Sequence, residues 1–335
     1  MKKSLFLALI IILFLISLPI NAEVIDGKFC PTSANSISNS KSIDKLVGHF
    51  DNQIKVVFSD IDGTLIPLDK SIPKGTVPDS VKEGVKKLQQ AKIPMILATG
   101  RPASEAKLFA IKMGNENTYL IGQQGAEIMD PSGKIIFKDC INNKDAKKIL
   151  KEINYFNKSN NQDSKIIIYM DEEIYTFEKF KIPYLIKEPI VVNSKFTTKP
   201  SFIPFKIEVY ENNPEKLRAI QSYLKKELPN YNVQIAADCF CTIYNSSVSK
   251  GSAVKKLAKI LKTDLKNAAV FGDAENDVSM LKLLKQSGGL SVAVENALPP
   301  VKESANYITN PVNKDGFAKA VDKILENNKD LTLVK

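Results

Sequence analysis

Two aspartates, Asp60 and Asp62, follow an unbroken apolar run in the segment VVFSDIDGTL and precede Gly63. Ionised carboxylates are costly to bury unless a cation or hydrogen-bond donors accompany them, so this position requires a specific partner. Two carboxylates at this spacing can divide the work of phosphoryl transfer. One attacks phosphorus as a nucleophile, while the other acts as acid toward the leaving group and then as base toward water.

A second acidic segment, FGDAENDVSML, has the same form. Asp273 ends an apolar run, and Asn276 and Asp277 open the next predicted helix, where a carboxylate interacts favourably with the helix dipole. Asp60 and Asp62 together with these acids make an oxygen-rich set. Oxygen ligands of this kind suit Mg²⁺, which takes few carboxylates and keeps several waters.

Two further segments offer groups for an anion. In LATGRP, Thr99 follows an apolar run and can present its hydroxyl and backbone N–H to a phosphoryl oxygen. Arg101 either reaches an anion or is a surface arginine at a helix start. Lys250, in SVSKGSAVKKL, opens a helix and can neutralise phosphate charge as a point cation, although one lysine among many carries little weight alone.

The elements that must position these residues alternate between strand and helix patterns. The runs IKVVFSD, IPMILATG and TYLIG are typical of strands buried on both faces of a parallel sheet, and the segments between them have helical spacing. The same alternation resumes after Lys250. The pattern predicts an α/β fold with a doubly wound parallel sheet, at whose strand carboxyl ends ligands bind.

An insertion interrupts this predicted sheet. Residues 129–245 hold alternating strand patterns and two helical segments, which favours a separate α+β unit. We therefore expect a core formed by residues 51–128 and 246–330. Residues 23–50 are rich in Ser, Asn and Lys and are predicted to be a linker.

The N terminus is predicted to be a signal peptide, residues 1–22. Two lysines precede the apolar run from Leu5 to Ile16, Pro19 ends the predicted helix, and Ile20 and Ala22 occupy the positions before the expected cleavage site. We expect export and no stable membrane insertion after cleavage, with an uncleaved anchor as the alternative. The destination would be the periplasm or exterior of a bacterium, or the secretory pathway of a eukaryote. Disulfide pairing stays open for the four cysteines, Cys30, Cys140, Cys239 and Cys241.

Composition narrows the chemistry. Lys and Arg number 47 against 37 Asp and Glu, a formal charge of +10, but the lysines are dispersed as on a solvated surface. Without arginine-rich or aromatic-interleaved basic motifs, we do not expect nucleic acid as a partner. The single histidine, His49, lies outside every motif, which argues against histidine-based phosphatases, Ser-His-Asp triads and His-rich zinc sites.

Four segments, DIDGTL, LATGR, SKG and GDAEND, resemble in this order the four motifs of the haloacid dehalogenase superfamily of phosphohydrolases, and within it the Cof-like group. The resemblance extends from about residue 54 to residue 325. It implies a Rossmann-like core with an α/β cap inserted between the second and third motifs. The implied activity is Mg²⁺-dependent hydrolysis of a small phosphate ester, such as a sugar phosphate, through an aspartyl-phosphate.

The resemblance also implies roles for individual residues. Asp60 would be the nucleophile and Asp62 the acid/base, while Thr99 and Lys250 would hold the transferring phosphoryl group. The implied metal site comprises Asp60, Asp62 through its main-chain carbonyl, Asp273 and Asp277. The implied substrate-binding residues are Gly100, Arg101, Gln124 and Asn276. Gln124 departs from the asparagine that the family often has there, so the substrate preference can differ.

Two alternatives remain at this point. A phosphosugar mutase would share the nucleophile but pass the phosphoryl group between hydroxyls, and no feature of the cap sequence decides between the two. An exported binding protein would keep the fold without turnover. The retention of Asp60, Asp62 and Asp273 argues against this third interpretation. The sequence does not determine the oligomeric state.

Overall fold

The computed structural model describes most of the chain, in the ranges 24–25, 28–29, 40–68, 75–170, 173–183, 188–236 and 239–333. The predicted signal peptide and Cys30 lie outside these residues. Two compact units divide the chain at residue 38. In the first, β1 (Val24–Ile25) and β2 (Lys28–Phe29) pair antiparallel. Among the described helices, none has the length and apolarity to cross a membrane.

The second unit contains two sheets and eight α-helices within its described residues. Its strands are β3 (Lys41–Ser42), β4 (Val56–Ser59), β5 (Met95–Ala98), β6 (Leu120–Gly122), β7 (Glu127–Met129), β8 (Ile135–Lys138), β9 (Lys165–Met170), β10 (Glu173–Thr176), β11 (Ile190–Val191), β12 (Lys206–Tyr210), β13 (Tyr231–Ala236), β14 (Phe240–Asn245), β15 (Ala268–Gly272), β16 (Leu290–Val294) and β17 (Tyr307–Thr309). Its helices are α1 (Asp79–Gln90), α2 (Ala103–Lys112), α3 (Asn143–Ser159), α4 (Pro214–Glu227), α5 (Lys250–Ile260), α6 (Val278–Gln286), α7 (Pro299–Glu303) and α8 (Gly316–Leu333).

The larger sheet has the order β3-β17-β16-β15-β4-β5-β6-β7-β8 and is parallel from β3 to β6. Its central strands β4 and β5 are buried along their whole length, as their unbroken apolar sequences require. Helices cover both faces, and α1 contributes the apolar stripe Val81, Val85 and Leu88. The predicted doubly wound α/β fold is confirmed.

Strand order places a topological switch between β4 and β15. The chain proceeds from β4 to β6 on one side, and after the insertion it proceeds from β15 to β17 on the other. Crevices at such switch points, outside the carboxyl ends of the strands, are where open α/β sheets bind ligands. The segments after β4, β5 and β15 therefore meet at the expected place.

The larger sheet extends beyond the predicted core at both ends. Strand β3 pairs with β17, and Ile43 and Leu46 are fully buried, so residues 40–50 belong to the sheet domain instead of a linker. The antiparallel hairpin of β7 and β8 also adds to this sheet, so the insertion begins after Lys138 and not at residue 129. The sequence pattern gave only a weak indication of these two strands, because β3 has two residues and β8 is a half-exposed edge strand.

The insertion, residues 139–245, folds as a second sheet and is called the cap below. The sheet order is β11-β10-β9-β12-β14-β13, antiparallel except for the β10–β11 pair. Helices α3 and α4 pack on one face. The stretch VQIAADCFCTIY is divided between β13 and β14, which pair antiparallel with each other. Cys241 is a buried free thiol.

Candidate active site

A cavity of about 300 Å³ lies between the strand ends of the core and the open face of the cap sheet. Seven of the residues singled out from the sequence line it: Asp60, Asp62, Gly100, Arg101, Gln124, Asp273 and Asn276. Thr99, Lys250 and Asp277 are buried next to these residues. The structure thus brings together side chains that are far apart in the sequence: Asp60 and Asp277 are separated by 217 positions.

Lys250 is the central cation of the site. Its Nζ lies 2.7 Å from Asp60 Oδ1 and 2.7 Å from Asp277 Oδ1, and its side chain is fully buried. The residue occupies the first turn of α5, whose start is fixed by a capping box between Ser249 and Ser252. Burial lowers the pKa of Lys250, but Asp277 and Asp60 outweigh it, so the net pKa is raised and the ammonium persists.

Asp277 organises the loop that follows β15. Its Oδ1 accepts from Lys250, while its Oδ2 accepts the backbone N–H groups of Asp273 at 2.9 Å and Ala274 at 3.0 Å. Gly272 makes this approach feasible, because a Cβ there would lie 2.5 Å from the Cβ of Asp277. The geometry gives Asp277 a clear positioning role beside the metal-binding role predicted from the sequence.

Three carboxylates converge at this point. Asp60, Asp273 and Asp277 each place one oxygen within 4.8 Å of the others. With Lys250 as the paired ammonium, three carboxylates and one cation leave a formal charge of −2. Burial raises the pKa of Asp60 well above its usual value, and burial together with Asp277 raises the pKa of Asp273 to about 7. Uncompensated buried oxygens of this kind fit a divalent cation such as Mg²⁺.

The turn after Asp62 is shaped to admit Asp273. Gly63 has φ +84°, and a Cβ at this position would lie 2.3 Å from Asp273 Oδ2. The hydroxyl of Thr64 donates to Asp273 Oδ1 at 2.6 Å, and the side-chain amide of Asn296 donates to the carbonyl of Gly63 at 2.8 Å. Glycine is therefore required both by the left-handed backbone and by the neighbouring carboxylate.

Arg101 holds the second aspartate. Its Nε and one terminal nitrogen donate to the two carboxylate oxygens of Asp62 at 2.6 and 2.8 Å, and the other terminal nitrogen donates to Glu105 at 2.9 Å. The guanidinium also lies 5.0 Å above the ring of Phe109. The guanidinium is thus engaged by the chain itself. The sequence alone left Arg101 either as a ligand for an anion or as a surface arginine, and the family resemblance placed it among the substrate-binding residues. Bidentate pairing fixes both position and orientation of the Asp62 carboxylate.

Gln124 forms part of the cavity wall next to the loop that carries Thr99. Gln123 and Gln124 both have positive φ, 50° and 63°, which turns the chain sharply after β6. Asn276 donates its amide N–H to Gln124 Oε1 at 2.8 Å. Gly100 packs against this amide so tightly that a Cβ would lie 2.6 Å from Gln124 Nε2. Gln124 therefore links the second motif to the fourth.

Several participating residues were missed by the sequence analysis. Glu105 lies four residues after Arg101 on α2, a spacing at which helical residues meet, so this partner was accessible from the sequence. Thr64 lies within the first motif but had no assigned role. Tyr169, Lys206 and Glu208 reach the cavity from the cap, and no local signal marks them because their contribution depends on how the cap sheet faces the core.

Comparisons with known proteins agree with this geometry. The model of the haloacid dehalogenase-like hydrolase family matches residues 57–321. A protein of Streptococcus pyogenes serotype M6 that bears a phosphatase name is 28% identical over 287 residues, covering 82% of this chain and 99% of the relative. A protein named phosphoglycolate phosphatase, from Methanosarcina acetivorans, is 25% identical over 277 residues, covering 82% of this chain and 98% of the relative.

Solved structures share the fold. A HAD/COF-like hydrolase from Plasmodium vivax superposes with a TM-score of 0.73 at 20% identity, covering 85% of this chain and 99% of the other. Since the family model spans most of the sequence, the chain belongs to the haloacid dehalogenase-like hydrolases. The relatives from Streptococcus pyogenes and Bacillus subtilis bear phosphatase names within that family.

Proposed function

We propose that the protein is a Mg²⁺-dependent phosphomonoesterase that hydrolyses a small organic phosphate, such as a sugar phosphate, through an aspartyl-phosphate on Asp60. The observation that carries the proposal is the buried cluster of Asp60, Lys250 and Asp273 at the switch point of the sheet. A nucleophilic carboxylate, a cation for phosphoryl charge and metal-binding oxygens are together there.

The metal would be held by the carboxylates of Asp60 and Asp273 and by the main-chain carbonyl of Asp62. When bound, Mg²⁺ offsets the negative charge of the phosphoryl group. Lys250 supplies a second positive charge next to Asp60, and Thr99, at the neighbouring strand end, offers its hydroxyl. The backbone N–H of Thr99, which the sequence analysis also expected to reach the phosphoryl group, is donated to the carbonyl of Ile121 in the sheet. The water-excluding cap strengthens these interactions because it lowers the effective dielectric constant.

The reaction proceeds in two steps. In the first, a carboxylate oxygen of Asp60 forms a bond to phosphorus, the ester P–O bond breaks, and Asp62 transfers its proton to the departing alcohol. In the second, Asp62 removes a proton from water as the water attacks phosphorus, which releases phosphate and restores Asp60. Arg101 aims the ionised Asp62 carboxylate for the second step, and in the first step one of its two hydrogen bonds to Asp62 gives way so that this oxygen can carry the proton.

A direct experiment uses hydrolysis of phenyl phosphate by the chain from Glu23 onward. We expect phosphate release with Mg²⁺, no release after chelation, and recovery when Mg²⁺ is restored. Transfer to added glycerol in place of water would indicate a phosphotransferase or mutase. The absence of release from well-folded protein, with phenyl phosphate and with a panel of metabolite phosphates, would contradict the proposal and favour a binding role.

We also propose that the enzyme is exported through residues 1–22. The proposal is based on the two lysines, the apolar run and the small residues before Glu23. Mature protein from the host would begin at Glu23 by N-terminal sequencing. A protein that retains Met1 and sediments with membranes would instead be anchored, and a protein that retains Met1 in the cytosol would contradict export.

A further inference from the structure

The cap contributes a largely apolar wall to the cavity. It lies opposite the floor, which is formed by Asp60, Asp273, Asp277 and Lys250 and would bind the phosphoryl group. The cap's apolar residues are Tyr169, Pro183, Ile235, Ala236 and Phe240, and the core adds Leu68 and Leu298 at the same opening. Leu68 and Leu298 are 48% and 61% exposed. Large apolar side chains at an opening into a catalytic cavity are placed to contact the part of the substrate that projects from the floor.

One ion pair interrupts this wall. Lys206 and Glu208 are alternate residues of β12, so both face the cavity while Ile207 and Val209 face the helices of the cap. The Lys206 Nζ lies 2.6 Å from Glu208 Oε1, and the two side chains are only 4% and 6% exposed. The pair as a whole is neutral.

The hydrogen-bonding groups of this pair are already engaged. Lys206 also donates to the carbonyl of Gly100 at 3.0 Å and lies 3.9 Å from the centre of the Tyr169 ring. Glu208 accepts from the hydroxyl of Thr242 at 3.1 Å and from the hydroxyl of Tyr169. The ammonium of Lys206 is therefore fully engaged by Glu208, by Tyr169 and by the loop that follows β5.

The other described cation that lines the cavity is also paired. Arg101 is held by Asp62 and Glu105, so neither lining cation of the described chain is open to a second anionic group. A carboxylate or second phosphate on the substrate would enter an apolar wall beside Glu208 and Glu275. Burial of a charge without a partner is strongly unfavourable.

We propose that the cap selects phosphomonoesters whose alcohol is uncharged and presents an apolar face, and that the Lys206–Glu208 pair enforces this selection by cancelling the cap's only lining cation among the described residues. The inference rests on the proposed phosphatase activity of the same cavity. Phe240, Ile235 and Leu298 would contact the alcohol, while Glu208 keeps Lys206 from binding an anion.

Matched substrates test the selection in the wild-type protein. Phenyl phosphate is compared with 4-carboxyphenyl phosphate, and glycerol 3-phosphate with 3-phosphoglycerate. We expect kcat/KM to favour the uncharged member of each pair by at least about tenfold, because the cavity offers the carboxylate no partner. Equal values, or a preference for the carboxylates, would overturn the inference while leaving the phosphatase activity established.

Glu208→Gln tests the mechanism of the selection. The amide keeps the shape of Glu208 and can still bond to Thr242, but it leaves the Lys206 charge uncancelled. We expect the ratio of kcat/KM for 4-carboxyphenyl phosphate to that for phenyl phosphate to rise about tenfold. Glu211→Gln is the matched control: it follows the same strand, bonds to Ser164, does not line the cavity and should leave the ratio unchanged.

A second variant covers the case in which Glu208→Gln does not fold. Thr242→Val removes one donor from Glu208 and should shift the same ratio in the same direction by a smaller factor. An unchanged ratio in every folded variant would show that the pair does not set selectivity. If the wild-type protein does not hydrolyse phenyl phosphate at all, the proposed function is refuted. Failure of the selectivity proposal and failure of the phosphatase proposal are therefore distinguishable.

Discussion

The floor and the wall of the cavity differ in the balance of their charges. On the floor, Asp60, Asp273 and Asp277 outnumber their single cation Lys250, so the site carries uncompensated negative charge. On the wall, Lys206 and Glu208 cancel each other completely. The first arrangement favours an external cation, whereas the second offers no net charge to an external ion. In the proposed function this difference separates two tasks: the floor would bind the phosphoryl group and the wall would contact the alcohol.

This contrast predicts different kinetic effects for variants of the floor and variants of the wall. Changes on the floor should lower the rate for every phosphate ester by a similar factor, because all substrates share the phosphoryl group. Changes on the wall should alter the ratio between substrates, because substrates differ in their alcohols. The following experiments examine the floor, from the largest expected effect to the smallest.

Asp60→Asn should reduce phenyl phosphate hydrolysis by at least about 10⁴-fold, because loss of a nucleophile removes the covalent route. The same factor is expected for 4-carboxyphenyl phosphate. The control is Asp79→Asn, which removes a carboxylate that is 95% exposed. This variant should hydrolyse both substrates at the wild-type rate. Near-normal turnover by folded Asp60→Asn protein would refute the assignment of the nucleophile.

Arg101→Met should lower kcat about 100-fold with little change in KM, because it releases the Asp62 carboxylate from its bidentate clamp. A direct role in substrate binding would instead raise KM. Steady-state kinetics with phenyl phosphate separate the two. Since the change also removes the guanidinium next to the buried carboxylate of Glu105, Arg101→Met/Glu105→Gln serves as a second variant, and circular dichroism verifies the folding of both.

Mg²⁺ affinity should depend on pH. The pKa of Asp273 is raised to about 7 in the metal-free protein by burial and by Asp277, so its carboxyl binds a proton below that pH and the metal must displace it. Apparent affinity should then fall as the pH decreases, by up to about tenfold per pH unit for each ligand that must lose a proton, and Asp60, whose pKa burial also raises, adds to the effect of Asp273. Calorimetric titration of Mg²⁺ at pH 6, 7 and 8 measures this. A pH-independent affinity would exclude Asp273 as the ligand that titrates.

Much of this organisation was predictable from the sequence. The apolar runs before Asp60, Thr99 and Asp273 identified buried parallel strands, and polar residues directly after such runs must meet at one edge of the sheet. The local signal was strong because a strand buried on both faces has an unbroken apolar sequence. Strand β3, with two residues, had no such signal.

Pairings across the chain were less accessible. Arg101 clamps a carboxylate 39 residues away, and the spacing does not distinguish this from a free cation at a helix start. The alternation of β12 shows that Lys206 and Glu208 share a face, but it does not say whether that face meets the core. The docking of the cap, on which substrate selection depends, arises from packing that no short segment encodes.

The central claim is that the phosphoryl group passes through Asp60, and an acid-quench experiment tests it most directly. Asp62→Asn protein is mixed with p-nitrophenyl phosphate and Mg²⁺, because a nitrophenolate leaves without help from an acid while the second step still lacks its base. We expect the phosphorylated protein to accumulate and peptide mapping to locate the phosphoryl group on Asp60. Release of nitrophenol with no protein-bound phosphate, or with phosphate on another residue, would contradict the account.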